Sequence, residues 1–498
     1  MKRTKIFPLL TDGAALIAGM LLTFAFAPFG IYPFAIMSAA ILLSTWLGVS
    51  RARAFFRGWL FGVGLFGTGV YWVYISIHTY GNASIFLAGF ITAGFIAILA
   101  LFPAATGYLL NRFFPKTNFA KLVCAFPAIW VTMEWVRSWI FTGFPWLFIG
   151  YSQIDSPLRG YAPLLSVYGV SLAVMLTAGL LINLITEKKQ IKLIYRSVLF
   201  LTLIWLIGWG LSFIPWTQTK GAPIKVSLVQ GSIPEQIKWS SDSVQTTIDR
   251  YVSLTQPHWD SQIIIWPESA VPVTLQSAQD FMNDIGFTAL QHHTTFITGI
   301  PIALADNSGY YNAVIALGAG DGFYLKRRLV PFGEYVPFHR WLHGLLDILN
   351  VPMSEFVSGK ETGKLLTANG LKIAPFVCYE IAFPELVGSN NKHINMLLTV
   401  SNDAWFGNSV AQPQHLEMAQ MRALEMGRPV LFVSNDGITA VIDSRGKIQS
   451  RAPQHQPYVL TDTVQPTEGR TPWQYFRMDP VLLIVLGFLL KAVFRRNK

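Results

Sequence analysis

Three residues in the second half of this 498-residue chain have side chains suited to making and breaking an acyl bond: Glu268, Lys326 and Cys378. Each stands where an apolar run stops. Residues 263–266 lead into Pro267 and Glu268, residues 322–325 into Lys326, and residues 373–377 into Cys378, Tyr379 and Glu380. A thiol attacks as a thiolate, so it needs a base or a nearby positive charge. A carboxylate such as Glu268 can take the thiol proton, best with a pKa raised by burial. An ammonium such as Lys326 can stabilise the oxyanion of a tetrahedral intermediate and hold Glu268 ionised. The backbone N–H of Tyr379, directly after the nucleophile, could supply a second oxyanion donor.

Cysteine usage bears on the same point. The chain has two cysteines. Cys124 lies in an apolar stretch and reads as packing. Cys378 has no partner in its own region, so it is either buried and inert or kept reactive. No metal constellation competes. The nine histidines are scattered, and the adjacent pair His292 and His293 does not share a helix face. The glycines of 318–322 lack phosphate-loop spacing. Neither a metal nor a cofactor is expected.

The elements that must position these residues are alternating strands and helices. Residues 224–230, 262–266, 295–300, 311–317, 322–329, 371–378, 396–400, 430–434, 439–443 and 458–463 are rich in β-branched and aromatic side chains and predict strands. Residues 242–256, 278–292 and 412–426 predict helices. Such alternation implies a layered α/β domain. Functional groups in these domains sit on loops just past strand ends, which would bring the three residues to one sheet edge.

The rest of the chain is different. It is 52% hydrophobic and 13% charged overall, against about 25% charged in soluble proteins. The net charge of +11 is not spread evenly. Residues 216–478 hold 19 Lys or Arg against 22 Asp or Glu; the remainder holds 19 against 5. The basicity therefore belongs to short segments between apolar runs, and no nucleic-acid partner is expected. Apolar stretches long enough to span a bilayer cover roughly 8–27, 32–49, 55–76, 84–110, 119–140, 163–185, 196–214 and 479–494. Basic residues cluster on alternate connections: Lys2, Arg3 and Lys5; Arg51, Arg53 and Arg57; Arg112, Lys116 and Lys121; Lys188, Lys189, Lys192 and Arg196; Lys491, Arg495, Arg496 and Lys498. Positive residues stay on the cytoplasmic side. Eight spans with both termini inside satisfy every connection and leave residues 216–478 outside the cytoplasm, where thiols tend to pair. The expected organisation is thus a seven-span domain over 1–215, an α/β domain over 216–478, and a last span with a basic tail over 479–498.

Two features of the spans leave alternatives open. Tyr71, Trp72, Tyr74 and Tyr80, with Trp139, Phe144, Trp146 and Tyr151, form either an interfacial aromatic belt or a wall of a lipid entry site. Glu134 and Arg137, three apart near a span end, are functional candidates or simply pair with each other.

At this point the residues resemble the nitrilase, or carbon–nitrogen hydrolase, superfamily. The segments Trp266-Pro267-Glu268, Lys326 through Arg327-Arg328-Leu329-Val330-Pro331-Phe332-Gly333-Glu334, and Cys378-Tyr379-Glu380 look like its three signature regions. With the spans included, nearly the whole chain is similar to the membrane-bound apolipoprotein N-acyltransferase branch of Gram-negative bacteria. The resemblance implies an αββα sandwich with mobile arms over the site. It implies Glu268 as general base, Lys326 as transition-state stabiliser, Cys378 as nucleophile, Glu334 as a second essential acid, and Trp239, Tyr379 and Glu380 as substrate-binding or positioning residues. Glu334 could instead only orient Lys326, Glu380 could be a surface acid capping the next helix, and Trp239 could be packing. Asn402-Asp403-Ala404-Trp405-Phe406-Gly407 also matches, as a positioning loop. The implied reaction moves an acyl chain from a phospholipid, expected to be phosphatidylethanolamine, through a Cys378 thioester to the amino terminus of a diacylglyceryl apolipoprotein in the inner membrane. A tethered amidase or nitrilase for small soluble substrates is the alternative, and a transporter or scaffold a more distant one.

Overall fold

The computed structural model describes residues 6–186, 191–306, 308–331, 333–335, 356–360, 365–389 and 393–495. Of the residues singled out above, Lys2, Arg3, Lys5, Lys188, Lys189, Phe332, Arg496 and Lys498 lie outside these. Two compact units result. One comprises Met1–Tyr74, Ile85–Pro215 and Tyr475–Lys498; the other comprises Ile75–Ser84 and Trp216–Gln474. Grouping of the short segment 75–84 with the second unit was not expected. Its cause is local: Ser76 donates a hydrogen bond to the Trp405 carbonyl at 2.8 Å, and the Tyr80 and Trp405 rings lie 5.6 Å apart.

The first unit is helical. Hydropathy predicts eight spans. Three helices, Ile85–Phe113, Pro157–Thr186 and Ile191–Leu211, are long and apolar enough to cross a bilayer, and the bent pair Arg51–Gly69 and Trp72–Tyr80 would make a fourth. The others fall short in geometry rather than in composition. Pro33–Thr45 has 13 residues, about 20 Å at 1.5 Å per residue against a hydrocarbon core of about 30 Å. The stretch expected at 119–140 divides into a π-helix, Ala120–Ala125, and a 12-residue α-helix, Phe126–Arg137. The last helix, Asp479–Phe494, has 16 residues.

Close backbone approach holds several of these helices together. A Cβ on Gly19 would lie 2.0 Å from the Phe61 carbonyl oxygen, and one on Gly64 2.3 Å from that of Leu16. Only glycine allows this crossing. Several charged groups inside the unit have partners. Asp12 accepts from Arg53 at 2.5 Å and Arg57 at 2.8 Å, so Arg57, expected in a basic connection, is buried within Arg51–Gly69. Glu134 accepts from the Trp130 indole and the Ile149 N–H. Arg137 donates to the Phe144 and Trp146 carbonyls and lies over the Phe66 and Phe148 rings. Of the aromatics expected at an interface, Trp72, Trp146 and Tyr151 are buried, with Trp72 and Trp146 5.0 Å apart. Tyr71 and Trp139 are exposed.

The second unit is a sandwich. Its strands are β1 Thr217–Thr219, β2 Ile224–Gln230, β3 Ile263–Ile265, β4 Thr295–Ala303, β5 Tyr310–Gly318, β6 Gly320–Asp321, β7 Phe323–Leu325, β8 Leu366–Ala368, β9 Leu371–Val377, β10 Met396–Ser401, β11 Val430–Ser434, β12 Ala440–Ile442, β13 Ile448–Arg451, β14 Tyr458–Val464 and β15 Thr467–Gly469. One sheet has the order β14-β2-β3-β4-β5-β7, the other β13-β12-β11-β10-β9-β8-β6, and β1 pairs with β15 separately. Neighbours β2, β3 and β4 run parallel, as do β9, β10 and β11.

Side chains on a strand alternate between faces, and here both faces are apolar. Val226, Leu228, Ile373, Val377, Leu398, Val400, Leu431 and Val433 point into one core shared by the two sheets. The intervening Phe376, Leu397, Val430 and Phe432 pack with Leu416, Ala419 and Ala423 of the helix Ala411–Met426. On the other sheet Val229, Ile264 and Phe296 pack with Ile248 of Val244–Thr255 and Met282 and Ile285 of Gln279–Gln291. Near-continuous apolar strands are the mark of sheets covered on both faces, and the layers read helix, sheet, sheet, helix. The parallel strands end together, so the residues following β3, β9, β10 and β11 meet at one end of the sandwich.

Candidate active site

Glu268 follows β3 after Trp266 and Pro267. Trp266 is fully buried and its indole donates to Thr255 at 2.8 Å, which anchors the segment. Gly299 on β4 packs against the same turn. A Cβ there would lie 2.7 Å from the Glu268 Cα, the Pro267 carbonyl oxygen and the Ser269 nitrogen. All three are backbone atoms and cannot swing aside. Gly299→Ala is therefore expected to shift Glu268, lowering the rate of any reaction that uses its carboxylate about 100-fold, as misplacement by about 1 Å does. It should also cost about 1–3 kcal/mol of stability through overpacking; a rate assay beside a thermal melt checks both.

The Glu268 carboxylate is buried and fully engaged. Its Oε1 accepts from the Asn312 amide at 2.8 Å and from Lys326 Nζ at 3.4 Å. Its Oε2 accepts from the Asn402 backbone N–H at 3.0 Å. Lys326 follows β7 and is 1% exposed. Its backbone N–H bonds the Asn312 carbonyl at 2.8 Å, and its Nζ lies 2.8 Å from Glu334 Oε1. Glu334 also accepts from Asn312 at 3.0 Å and from the Val330 N–H at 2.8 Å. Burial pulls the Lys326 ammonium toward neutrality, but Glu334, then Glu268 and Cys378, outweigh it and hold its pKa well above the ordinary lysine value.

Cys378 begins the turn Cys378–Ala382 after β9. Its φ is +53°, a sparsely populated region for a residue with a Cβ. The residue as a whole is partly buried, packed against the core shared by the two sheets. Burial and then Glu268 push its pKa well above the ordinary thiol value, against the opposing pull of Lys326. The resting group is thus a neutral thiol beside a carboxylate and an ammonium, suited to attack concerted with proton transfer.

Glu380 is fully buried rather than a surface cap. It accepts from the Val377 N–H at 2.9 Å, from Arg327 N–H at 2.7 Å and Arg328 N–H at 3.0 Å, and from the Tyr324 hydroxyl at 2.9 Å. It thereby ties the Lys326 segment to the Cys378 turn; burial pushes its carboxyl pKa upward. Tyr379 is buried edge-on against Phe383. Trp239 is 48% exposed, and its indole donates to Glu235 at 2.9 Å, so it is not a core packing residue. Cys124 is buried in the helical unit.

Four further residues touch this cluster, of which only Asn402, in the positioning loop named above, carried a signal that sequence reasoning used. Asn312 donates to both Glu268 and Glu334. Asn402 bridges Glu268 through its backbone and Glu235 through its amide. Lys238, 1% exposed, donates to the Glu268 carbonyl at 3.0 Å. Burial draws its pKa down, with Glu235, Glu268 and Cys378 opposing. Glu235 and Lys238 lie beside Trp239 and could have been found by extending that stretch. Asn312 is one polar residue in an otherwise apolar strand.

Residues 18–180 match the family model described as the apolipoprotein N-acyltransferase N-terminal domain, and residues 225–472 match carbon–nitrogen hydrolase. The apolipoprotein N-acyltransferase of Coxiella burnetii is 45% identical over 477 residues, covering 96% of this chain and 98% of its own length. That of Pseudomonas syringae pv. tomato is 42% identical over 486 residues, covering 96% of each. Similarity of this degree along both units makes the chain a member of the apolipoprotein N-acyltransferase family, with a carbon–nitrogen hydrolase domain as its α/β part.

Proposed function

We propose that this enzyme N-acylates lipoproteins in two steps at Cys378. Its substrates are membrane lipid and lipoprotein. In the first step Glu268 takes the Cys378 proton as sulfur attacks the ester carbonyl of a phospholipid. Lys326 stabilises the oxyanion. The C–O bond breaks, the lysophospholipid alkoxide takes the proton from Glu268, and a thioester remains. In the second step the α-amino group of a diacylglyceryl-cysteine attacks the thioester. Glu268 takes the amine proton, the C–S bond breaks, and sulfur recovers a proton as the amide forms. Glu334 keeps Lys326 in place, Glu380 joins the lysine segment to the nucleophile turn, and Trp239 and Tyr379 contact substrate. The donor is phosphatidylethanolamine.

The observation that carries this reading is the cluster of one ammonium between two carboxylates, with Cys378, the one cysteine of residues 216–478, close enough to feel the charges of Glu268 and Lys326, in a chain of this family. The distribution of basic residues supports the remaining particulars: the inner membrane, eight crossings with shorter helices included, both termini cytoplasmic and residues 216–478 periplasmic. Both substrates are anchored in lipid, so the site works at a membrane surface, and water must be kept from the thioester.

Incubating the purified chain with phosphatidylethanolamine and then measuring its intact mass is expected to give one acyl adduct, mapped by peptide digestion to Cys378. Turnover of short soluble amides without lipid, and no adduct with it, would favour a tethered amidase instead.

A further inference from the structure

A second group of buried ionisable residues touches the nucleophile through its backbone rather than its sulfur. His415 lies on the helix Ala411–Met426. Its Nε2 is 3.1 Å from the Cys378 carbonyl oxygen, and its Nδ1 is 3.1 Å from Asp403 Oδ1. Both side chains are 0% exposed. Asp403 stands just past β10 and is itself held. The Ser401 hydroxyl donates to Asp403 Oδ1 at 2.7 Å, and the Asp403 N–H donates to Ser434 Oγ at 3.2 Å. Phe406 and Phe432 present edges to the imidazole at 6.1 and 5.1 Å.

Cysteine, histidine and aspartate so arranged suggest a protease-like triad, but the distances assign another part. The imidazole meets the carbonyl of Cys378, which can only accept a hydrogen bond. Because that carbonyl can only accept, Nε2 carries the hydrogen aimed at it, while Asp403 fixes the ring's orientation from the Nδ1 side.

The carbonyl held in this way belongs to a strained residue. Cys378 has φ +53°, a conformation that is unfavourable for a residue with a Cβ and persists only where the surroundings enforce it. Backbone torsions at Cys378 set the direction of its Cα–Cβ bond and hence the location of sulfur relative to Glu268 and Lys326. A buried hydrogen bond to the next atom along the chain is the means of enforcing them. The carbonyl also shares a rigid plane with the Tyr379 N–H, so one contact orients the whole peptide after the nucleophile.

We propose that His415, oriented by Asp403, is a positioning residue that holds the Cys378 turn in its strained, reactive conformation. The proposal rests on Cys378 being the nucleophile. It concerns neither proton transfer to sulfur nor substrate contact.

The test uses the full-length chain in detergent with phosphatidylethanolamine, following acylation of Cys378 by intact mass in a single turnover. His415→Ala is expected to slow acylation about 100-fold, the scale of a misplacement of about 1 Å, with KM for phospholipid within about twofold of wild type. His415→Gln, whose amide can again donate to the Cys378 carbonyl, is expected to recover at least about tenfold of that loss. A merely structural role would lower folded yield and melting temperature without separating these two variants in rate per folded molecule. His415→Ala protein that is folded and acylates at the wild-type rate overturns the proposal. So does His415→Gln as slow as His415→Ala. Should His415→Ala fail to fold, His415→Gln decides alone: a rate within about tenfold of wild type supports the positioning role, and inactivity overturns it. Absence of any adduct on wild-type Cys378 would sink the underlying two-step reaction, and this proposal with it. A normal wild-type adduct with an indifferent His415→Ala sinks the positioning role only.

Discussion

Lys326→Met is expected to reduce acylation of Cys378 by about 100- to 1,000-fold, the range lost when an oxyanion-stabilising donor is removed. The argument starts from burial. Lys326 is 1% exposed and lies between Glu334 at 2.8 Å and Glu268 at 3.4 Å. Without the ammonium, two carboxylates face one another across the Asn312 amide, which donates to both. Like charges so close cannot both stay ionised in a desolvated site. One carboxyl takes up a proton, and wherever it is Glu268 the proposed base is lost together with the proposed oxyanion partner. The two losses act on one step, so they do not simply multiply. Breaking a buried ion pair also costs about 3–5 kcal/mol, so the melting temperature should fall as well. Rates are therefore compared per folded molecule, with single-turnover acylation as the measure. A Lys326→Met enzyme that is folded and within about tenfold of wild type would remove lysine from the chemistry.

The same cluster makes a statement about pH. Lys326 has its folded-state pKa raised, chiefly by Glu334 and Glu268 acting against burial. A raised cationic pKa contributes stability that is fully present below the unfolded value of about 10.4 and is lost only as pH climbs through the folded one. Thermal melts between pH 6 and 9 are expected to show no loss attributable to Lys326.

Much of the α/β unit is legible in the chain because both sheet faces are covered. Val430–Ser434 is apolar up to its last residue and is bounded by Pro429 and Asn435, so hydropathy nearly delimits it, and Ile224–Gln230 is apolar at four of its seven positions and bounded by Pro223 and Gly231. Strands of two or three residues, such as β6 and β8, are too short for any periodicity and owe their existence to the neighbours they pair with. The residues at strand ends stood out because a charged side chain interrupts each apolar run. What lay hidden were polar residues whose meaning depends on tertiary partners. Asn312 is a single polar residue on a strand face whose next members, Val314 and Ala316, are apolar, and such an interruption does not say what it touches. His415 sits on a helix that is buried all round, where its polarity predicts an exposed face. Hydropathy counts residues but not rise, bend or hydrogen-bond register, so it missed the break at Ala120–Ala125 and the grouping of Ile75–Ser84 within the second unit.

Cys378→Ala is expected to give no acyl adduct and no N-acylated product, the largest single effect available in this protein. The sulfur is the only cysteine sulfur in the α/β unit, and no hydroxyl can replace it well. A thiol loses its proton at about pH 8.5 in water, and even with burial and Glu268 pushing Cys378 upward it stays a better proton donor to a carboxylate than a serine hydroxyl. Cys378→Ser is accordingly expected to acylate at a trace of the wild-type rate. Any ester it forms should persist, since an amine displaces an oxygen ester less readily than a thioester. The raised pKa gives an independent check with the sign fixed in advance. A neutral resting thiol reacts faster as pH rises, and the thiolate fraction of a group held above the ordinary value is still increasing at pH 9. Alkylation of wild-type Cys378 by iodoacetamide without lipid should therefore accelerate through pH 9 with no plateau near 8.5. A plateau at or below neutral pH would mean a preformed thiolate paired with Lys326. Glu268 would then have no proton to collect from sulfur in the first step, leaving it the amine proton in the second.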